Sequence, residues 1–252
     1  MRLDVLDHGF VELIDRMGDD YRILQSARVS TGGEAKKGDE SDRGLIRYLF
    51  RNQHLTPFEQ VTLTFHVKAP IFVVRQWFRH RAASYNEISA RYSELPGEYY
   101  IPEEWRLQGV KNHQGSGDAV PAGELAEELD FKYDEALKVA DDTYRNALRK
   151  GVSREMARFV MPVAQYTEFY ETINLRNLFH FLELRLHEHA QLETRAYADA
   201  IYRILKTIDG LKWTLEIFDE TLRVDFAIQE LKNAYKLDFG TLERKLREIT
   251  PP

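Results

Sequence analysis

The chain has 252 residues, 43% of them hydrophobic and 30% charged, which is enough to bury a core as one large domain or two small ones. Its 35 basic and 41 acidic side chains leave a formal charge of −6, so nucleic acid and anionic membrane surfaces are repelled unless positive charge is concentrated locally. Cysteine is absent, which excludes disulfides, thiolate metal sites and thiolate nucleophiles, and no apolar run approaches the ~18 to 20 residues that span a bilayer.

The N-terminal MRLDVLDHGF lacks the basic-then-apolar layout of a secretion signal, and a cytoplasmic location is expected. The first twenty residues alternate short apolar runs with turn signals, Tyr21–Arg28 suits a short helix, and Thr31–Asp42 is a polar loop. Asp42 is placed to cap a helix carrying Leu45, Ile46, Leu49 and Phe50 at helical spacing, which His54–Pro57 ends. Val61, Leu63, Phe65 and Val67 then alternate with polar neighbours as in a half-buried strand. Pro70 opens a helix with Ile71, Val74, Trp77 and Phe78 on its apolar face and Arg75 and Arg79 one turn apart.

Pro96 and Gly97 close the next segment, and Gln108–Gly123 has the composition of an exposed insertion. Glu124–Lys150 keeps a helical period through Leu125, Leu129, Tyr133, Leu137, Ala140 and Tyr144 until Gly151, and Ser153 can cap a short helix. Tyr166–Ile173 reads as a strand, after which Asn174 caps one long helix reaching toward Ile208. Leu175, Phe179, Leu182 and Leu186 form the buried stripe of that helix, with Arg185 at its edge and His189 within it. Two strand signals among many helices, without regular alternation, predict a single α+β domain. No G-x-G-x-x-G follows a strand, so a dinucleotide fold of the usual kind is excluded.

The most informative stretch is Arg79–Tyr92, RHRAASYNEISARY. Three arginines whose planar forks suit phosphate and imide oxygens stand there with a histidine, two serines and a carboxylate, a set that folding alone does not require. The spacing R-H-R-x-x-S-x-N-E-x-S-x-R is met at every specified position by Arg79, His80, Arg81, Ser84, Asn86, Glu87, Ser89 and Arg91. It resembles the signature of the flavin-dependent thymidylate synthases, and the likeness runs from Met1 to about Phe218.

That resemblance implies a homotetramer of single complex α+β domains, each with a mostly antiparallel sheet flanked by long helices. It implies a catalytic domain over residues 1–220; the likeness fades beyond it, where 221–252 reads from its own composition as a charged C-terminal helical extension. The implied reaction is reductive methylation of dUMP to dTMP, with 5,10-methylenetetrahydrofolate as carbon donor, FAD as bound cofactor and NADPH as reductant. The other, flavin-independent type of thymidylate synthase uses a cysteine, which this chain lacks. By the same resemblance Gln76, Arg79, Glu87, Ile88, Ser89, Ala90, Arg91, Arg158 and Arg185 bind the nucleotide. Thr56, Arg79, His80, Arg81, Glu87, Asn174, Arg176 and His180 bind FAD. Arg185 is the catalytic candidate, because a fixed guanidinium stabilises negative charge on the uracil ring and so enriches the carbon to be methylated.

Other readings of these residues remain open. Ser84 and Ser89 could be nucleophiles with His80 or Glu87 as base, but a phosphate or imide ligand asks only for a donor, which favours hydrogen bonding. Arg185 could be a structural arginine bonded to backbone carbonyls. His180, Glu183 and His187 share a helical face and could hold a metal, although no metal is expected. The rival functions are a nucleic-acid module, another flavin enzyme acting on a phosphorylated base without folate, and a metal-dependent hydrolase. Neither a nucleic-acid nor a membrane partner is expected.

Overall fold

The computed structural model describes residues 1–33, 38–109 and 115–235. Strands β1 (Arg2–Val5), β2 (Gly9–Met17), β3 (Thr62–Pro70), β7 (Tyr166–Asn174) and β4 (Ala83–Glu87) form one sheet in the order β1-β2-β3-β7-β4, with every pairing antiparallel. A separate hairpin joins β5 (Arg106–Gln108) to β6 (Ser116–Ala119). The helices are α1 (Asp20–Val29), α2 (Asp39–Arg51), α3 (Ile71–Trp77), α4 (Glu124–Arg149), α5 (Arg154–Ala157), α6 (Leu175–Arg185), α7 (Leu192–Leu205) and α8 (Lys212–Tyr235). The chain is thus α+β, as its pattern predicts.

The period-two reading of β3 holds. Leu63, Phe65, Val67 and Ala69 are buried under the helices, while Thr64, His66 and Lys68 lie on the other face. That second face carries polar cross-strand pairs, with Thr64 against Thr172 at 3.0 Å and His66 against Glu168 at 3.1 Å. Gly9 lets β2 pass close under α7. A Cβ there would meet Tyr197 Oη and the carbonyls of Val5 and Lys68, and Tyr197 donates to that Lys68 carbonyl at 2.8 Å.

Two apolar clusters result. The main one joins the inner sheet face to α1, α2, α3, α6, α7 and the start of α8, with Trp77, Phe58, Phe65, Phe169, Phe181 and Phe218 among its largest side chains. Burying each such ring contributes on the order of 2–3 kcal/mol. The second is small: Leu95, Tyr144 and Ala157, with Ala90, Ala147, Leu148 and Met161 packed on them. It holds together α4, α5 and the loop after β4.

Several elements differ from the sequence reading. Asp42 does not cap α2; it lies inside the helix, buried, and pairs with Arg28 of α1 at 2.6 Å. The segment after Asn174 is not one helix. Asn174 caps α6, accepting from Asn177 N at 3.0 Å, but α6 stops at Arg185 and the chain breaks before α7. His189 therefore sits exposed in the break instead of in the buried stripe. The hairpin β1–β2 and strand β4 carried no strand prediction. Helix α4 has its expected length, and Gly151, at φ +82°, follows its end. Helix α8 runs without interruption across position 220, and 236–252 of the expected C-terminal extension lie outside the described residues.

Candidate active site

Two helix C-termini converge. Strand β3 leads through Pro70 into α3, whose last turn presents the Gln76 carbonyl; β7 leads through Asn174 into α6, whose last residue is Arg185. Arg185 donates from Nη2 to the Gln76 carbonyl at 3.2 Å and from Nε to His80 Nε2 at 3.1 Å. A cation at the carbonyl end of a helix also meets a favourable dipole. Because His80 Nε2 accepts, the imidazole is neutral with its proton on Nδ1, and burial, then Arg185 and His180, hold its pKa down at about 4. No ion pair neutralises Arg185 among the described residues, and the rest of its N–H fork has no protein acceptor there.

The turn between α3 and β4 carries Arg79, His80 and Arg81, and it is fixed from below. Trp77 donates to buried Glu171 of β7 at 3.1 Å, and Tyr85, directly across from Glu171 in the sheet, donates to the His80 carbonyl at 2.8 Å. Beside the turn lie neighbouring cavities that share lining residues of α6. One of about 340 Å³ is lined by Arg79, His80, Arg81, Asn177, His180, Leu184 and Arg185. It shares Asn177 and His180 with a cavity of about 420 Å³ bounded by Phe50, Gln53, Leu55, Arg176 and Phe179. Arg185 also borders a third, of about 520 Å³, reached by Gln76, Arg106, Gln191 and Arg195. Arg79 and Arg81 have no ion pair among the described residues, so the trough holds concentrated positive charge in a chain of net charge −6.

The structure brings together Gln76, Arg79, His80, Arg81, Arg176, His180 and Arg185. Thr56 is next to the trough residue Leu55, at the head of a single-turn 3₁₀ helix, and Glu59 of that turn pairs with Arg176. Asn174 spends its side-chain oxygen on the α6 cap. The second half of the motif lies elsewhere. Glu87 accepts from Thr167 at 2.7 Å, Ile88 N donates to the Glu168 carbonyl at 2.9 Å, and Ser89 Oγ accepts from Arg91 N at 3.3 Å. Ala90 packs on the small apolar cluster, Arg91 pairs with Glu155 of α5 at 3.5 Å, and Arg158 follows α5, exposed. None of Ser89, Ala90, Arg91 or Arg158 lines the three trough cavities.

Sequence reading missed Asn177, Arg106, Gln191, Arg195 and Glu171. Asn177 could have been found one turn ahead of His180, and Glu171 by its period-two alternation with Phe169 and Ile173; Arg106, Gln191 and Arg195 reach the site through contacts between segments far apart in sequence, which no local pattern reveals. His187 lies beyond the end of α6, and its ring is 4.7 Å from that of His189. Among the described residues no group of three or more His, Cys, Asp or Glu is placed to hold a metal ion. Nor is any helix there long and apolar enough to cross a membrane.

A trough edged by Arg79 and Arg81, neither in an ion pair among the described residues, on an α+β scaffold offers donors of the kind that suit anionic small molecules. Residues 12–209 match the family model described as thymidylate synthase complementing protein. The chain is 52% identical over 222 residues to a flavin-dependent thymidylate synthase of Thermus thermophilus, covering 88% of this chain and 80% of that protein. Over 249 residues it is 47% identical to one of Thermotoga neapolitana, covering 99% and 100%. In structure it is similar to the UMP/dUMP methylase PolB of Streptomyces cacaoi bound with 5-Br dUMP, with TM-score 0.76, 36% identity, and coverage of 86% of this chain and 97% of that one. The chain belongs to the flavin-dependent thymidylate synthase family.

Proposed function

We propose that the protein converts dUMP to dTMP by reductive methylation, with FAD as bound cofactor, 5,10-methylenetetrahydrofolate as carbon donor and NADPH as reductant, in the cytoplasm. The observation that carries this reading is the Arg185 guanidinium, pinned by His80 and the Gln76 carbonyl with the rest of its fork left for a ligand. Such a group stabilises negative charge on a uracil imide at little reorganisation cost. Neutral His80 accepts from the guanidinium and so orients it without competing for the anion. Gln76 makes one amide hydrogen bond to Gln191, at 2.5 Å, and keeps the other half of its amide for the ring.

The trough suits FAD. Arg79, Arg81 and Arg176 offer donors for a pyrophosphate, Asn177, His80 and His180 offer polar edges, and Leu55, Phe50 and Phe179 offer apolar surface for a flat ring. When bound, the flavin supplies hydride transfer that no side chain here can supply. Ser89, Arg91 and Arg158 are assigned to the dUMP phosphate, and Glu87, Ile88 and Ala90 to shaping the loop around it. Because none of them lines the cavities around Arg185, a second copy is assigned to complete each site, as in a homotetramer. Exposed apolar side chains such as Phe159, 74% accessible, and Phe131, 65%, support such burial between copies.

The test is dTMP formation by purified protein given dUMP, methylenetetrahydrofolate, NADPH and FAD, each omitted in turn. Product that needs all four is expected; product without folate, or none at all, overturns the proposal. The name of the Streptomyces protein favours one variant reading, UMP as a second substrate, and UMP in place of dUMP in the same assay decides it.

A further inference from the structure

Beneath the Arg79–Arg81 turn lies a carboxylate that the proposed chemistry does not use. Glu171 is 1% exposed, and its Oε1 accepts from Trp77 Nε1. Its Oε2 is sealed from solvent and receives no hydrogen. Its neighbour across the β4–β7 pair, Tyr85, interacts with Glu171 while its Oη donates to the His80 carbonyl at 2.8 Å. A buried oxygen opposite a hydroxyl whose hydrogen points away is satisfied when the carboxyl itself carries the proton.

We propose that Glu171 works as a neutral carboxylic acid, its Oε2–H donating to Tyr85 Oη, and that the chain Trp77–Glu171–Tyr85–His80 positions the Arg79–Arg81 turn against Arg185. Ionised Glu171 would draw the Tyr85 hydrogen to itself and release the His80 carbonyl, loosening the imidazole that orients Arg185. Glu171 is then a positioning residue that acts through Tyr85. Burial pushes its pKa up to about 7, against the lowering by Trp77 and Tyr85. The groups facing it are Trp77 from α3, Tyr85 from β4 and, in register on β3, Phe65; none carries a charge. Further out, Tyr197 of α7 packs on Trp77, and Arg185 and His180 flank His80.

The activity arm of the test rests on the thymidylate reading; the spectroscopic arm does not. Infrared titration of the ligand-free protein should show a protonated-carboxyl band that vanishes as pH rises through about 7. The band should be absent in Glu171→Gln and shifted in Tyr85→Phe, which removes its acceptor. Absence of the band below that pH, its survival in Glu171→Gln, or its indifference to Tyr85→Phe overturns the proposal; if the Gln variant does not fold, the wild type and Tyr85→Phe decide.

In turnover, the wild type should show an alkaline fall centred near that pH. Glu171→Gln, whose amide donates to Tyr85 while its oxygen accepts from Trp77, should keep the acid-side rate and lose the fall. An unchanged alkaline fall in Glu171→Gln overturns the positioning role. A band that titrates in a protein forming no dTMP at any pH would sink the proposed function and leave the hydrogen-bonded chain standing.

Discussion

The two apolar clusters carry the two halves of the predicted site, and they hold them differently. On the main cluster Arg185 is half-buried and tied by two hydrogen bonds, and the Arg79–Arg81 turn stands on Trp77, Tyr85 and Glu171. On the small cluster Arg91 is exposed beside an equally exposed Glu155, and Arg158 is exposed as well. A tied guanidinium has already lost its rotamer freedom, whereas an exposed one gives up about 1 kcal/mol when a ligand orders it. Under the proposed assignment, ring recognition is organised within one chain and anion recognition is left on a surface.

The sharpest way to break this contrast is Arg185→Ala. Removing a preorganised donor to a developing anion should lower kcat by ~10²–10³, with FAD retention unchanged. Arg185→Lys should not rescue it, since a single ammonium cannot reproduce the planar fork that spans His80, Gln76 and the ring. Turnover near wild type in either variant would show that the tied guanidinium is structural.

Thermal or denaturant unfolding against pH tests the burial beneath that half. The folded pKa of Glu171, about 7, lies above its ordinary value of 4.5, so the folded state holds this proton more tightly than the unfolded chain. Its contribution is fully present below 4.5 and is lost as pH rises to about 7. Glu171→Gln does not titrate. Relative to wild type it should therefore gain on the order of 3 kcal/mol between those limits. A difference that stays flat across this range would mean that Glu171 is not held neutral.

How far the sequence revealed all this depends on whether a signal was local. Strands β3 and β7 and helix α4 announced themselves through unbroken periodicity. Strand β4 hid inside the motif because it is short, at the sheet edge, and inward-facing only at Ala83 and Tyr85. The break after Arg185 was invisible because Leu186, Ala190 and Tyr197 keep a helical apolar spacing across it, although the His-Glu-His run that follows Leu186 is a poor helix interior. The Arg185–His80 contact joins residues 105 apart, and the resemblance named both without linking them. Glu171 was not singled out, although it shares the inner face of β7 with Phe169 and Ile173 by period two. What the pattern could not show is that Trp77 of α3 and Tyr85 of β4 close over it.

The exposed half sharpens the contrast through kinetics of another kind. Arg91→Ala and Arg158→Ala should raise KM for dUMP by ~10- to 100-fold while kcat moves little, as expected when a charge-assisted contact worth about 1.5–3 kcal/mol is lost from the bound ground state and transition state alike. Glu155→Gln, which only removes the exposed partner of Arg91, should change KM by less than ~3-fold and stability by under ~1 kcal/mol. If Arg91 and Arg158 act on a site whose Arg185 belongs to another copy, then Arg185→Ala and Arg91→Ala proteins, each impaired, should regain activity when mixed and allowed to exchange subunits. Mixed oligomers of that kind contain some sites with both arginines intact. Exchange without recovery would put Arg91 and Arg185 in one chain's site. The loop from Glu87 to Arg91 would then have to leave the small cluster when dUMP binds.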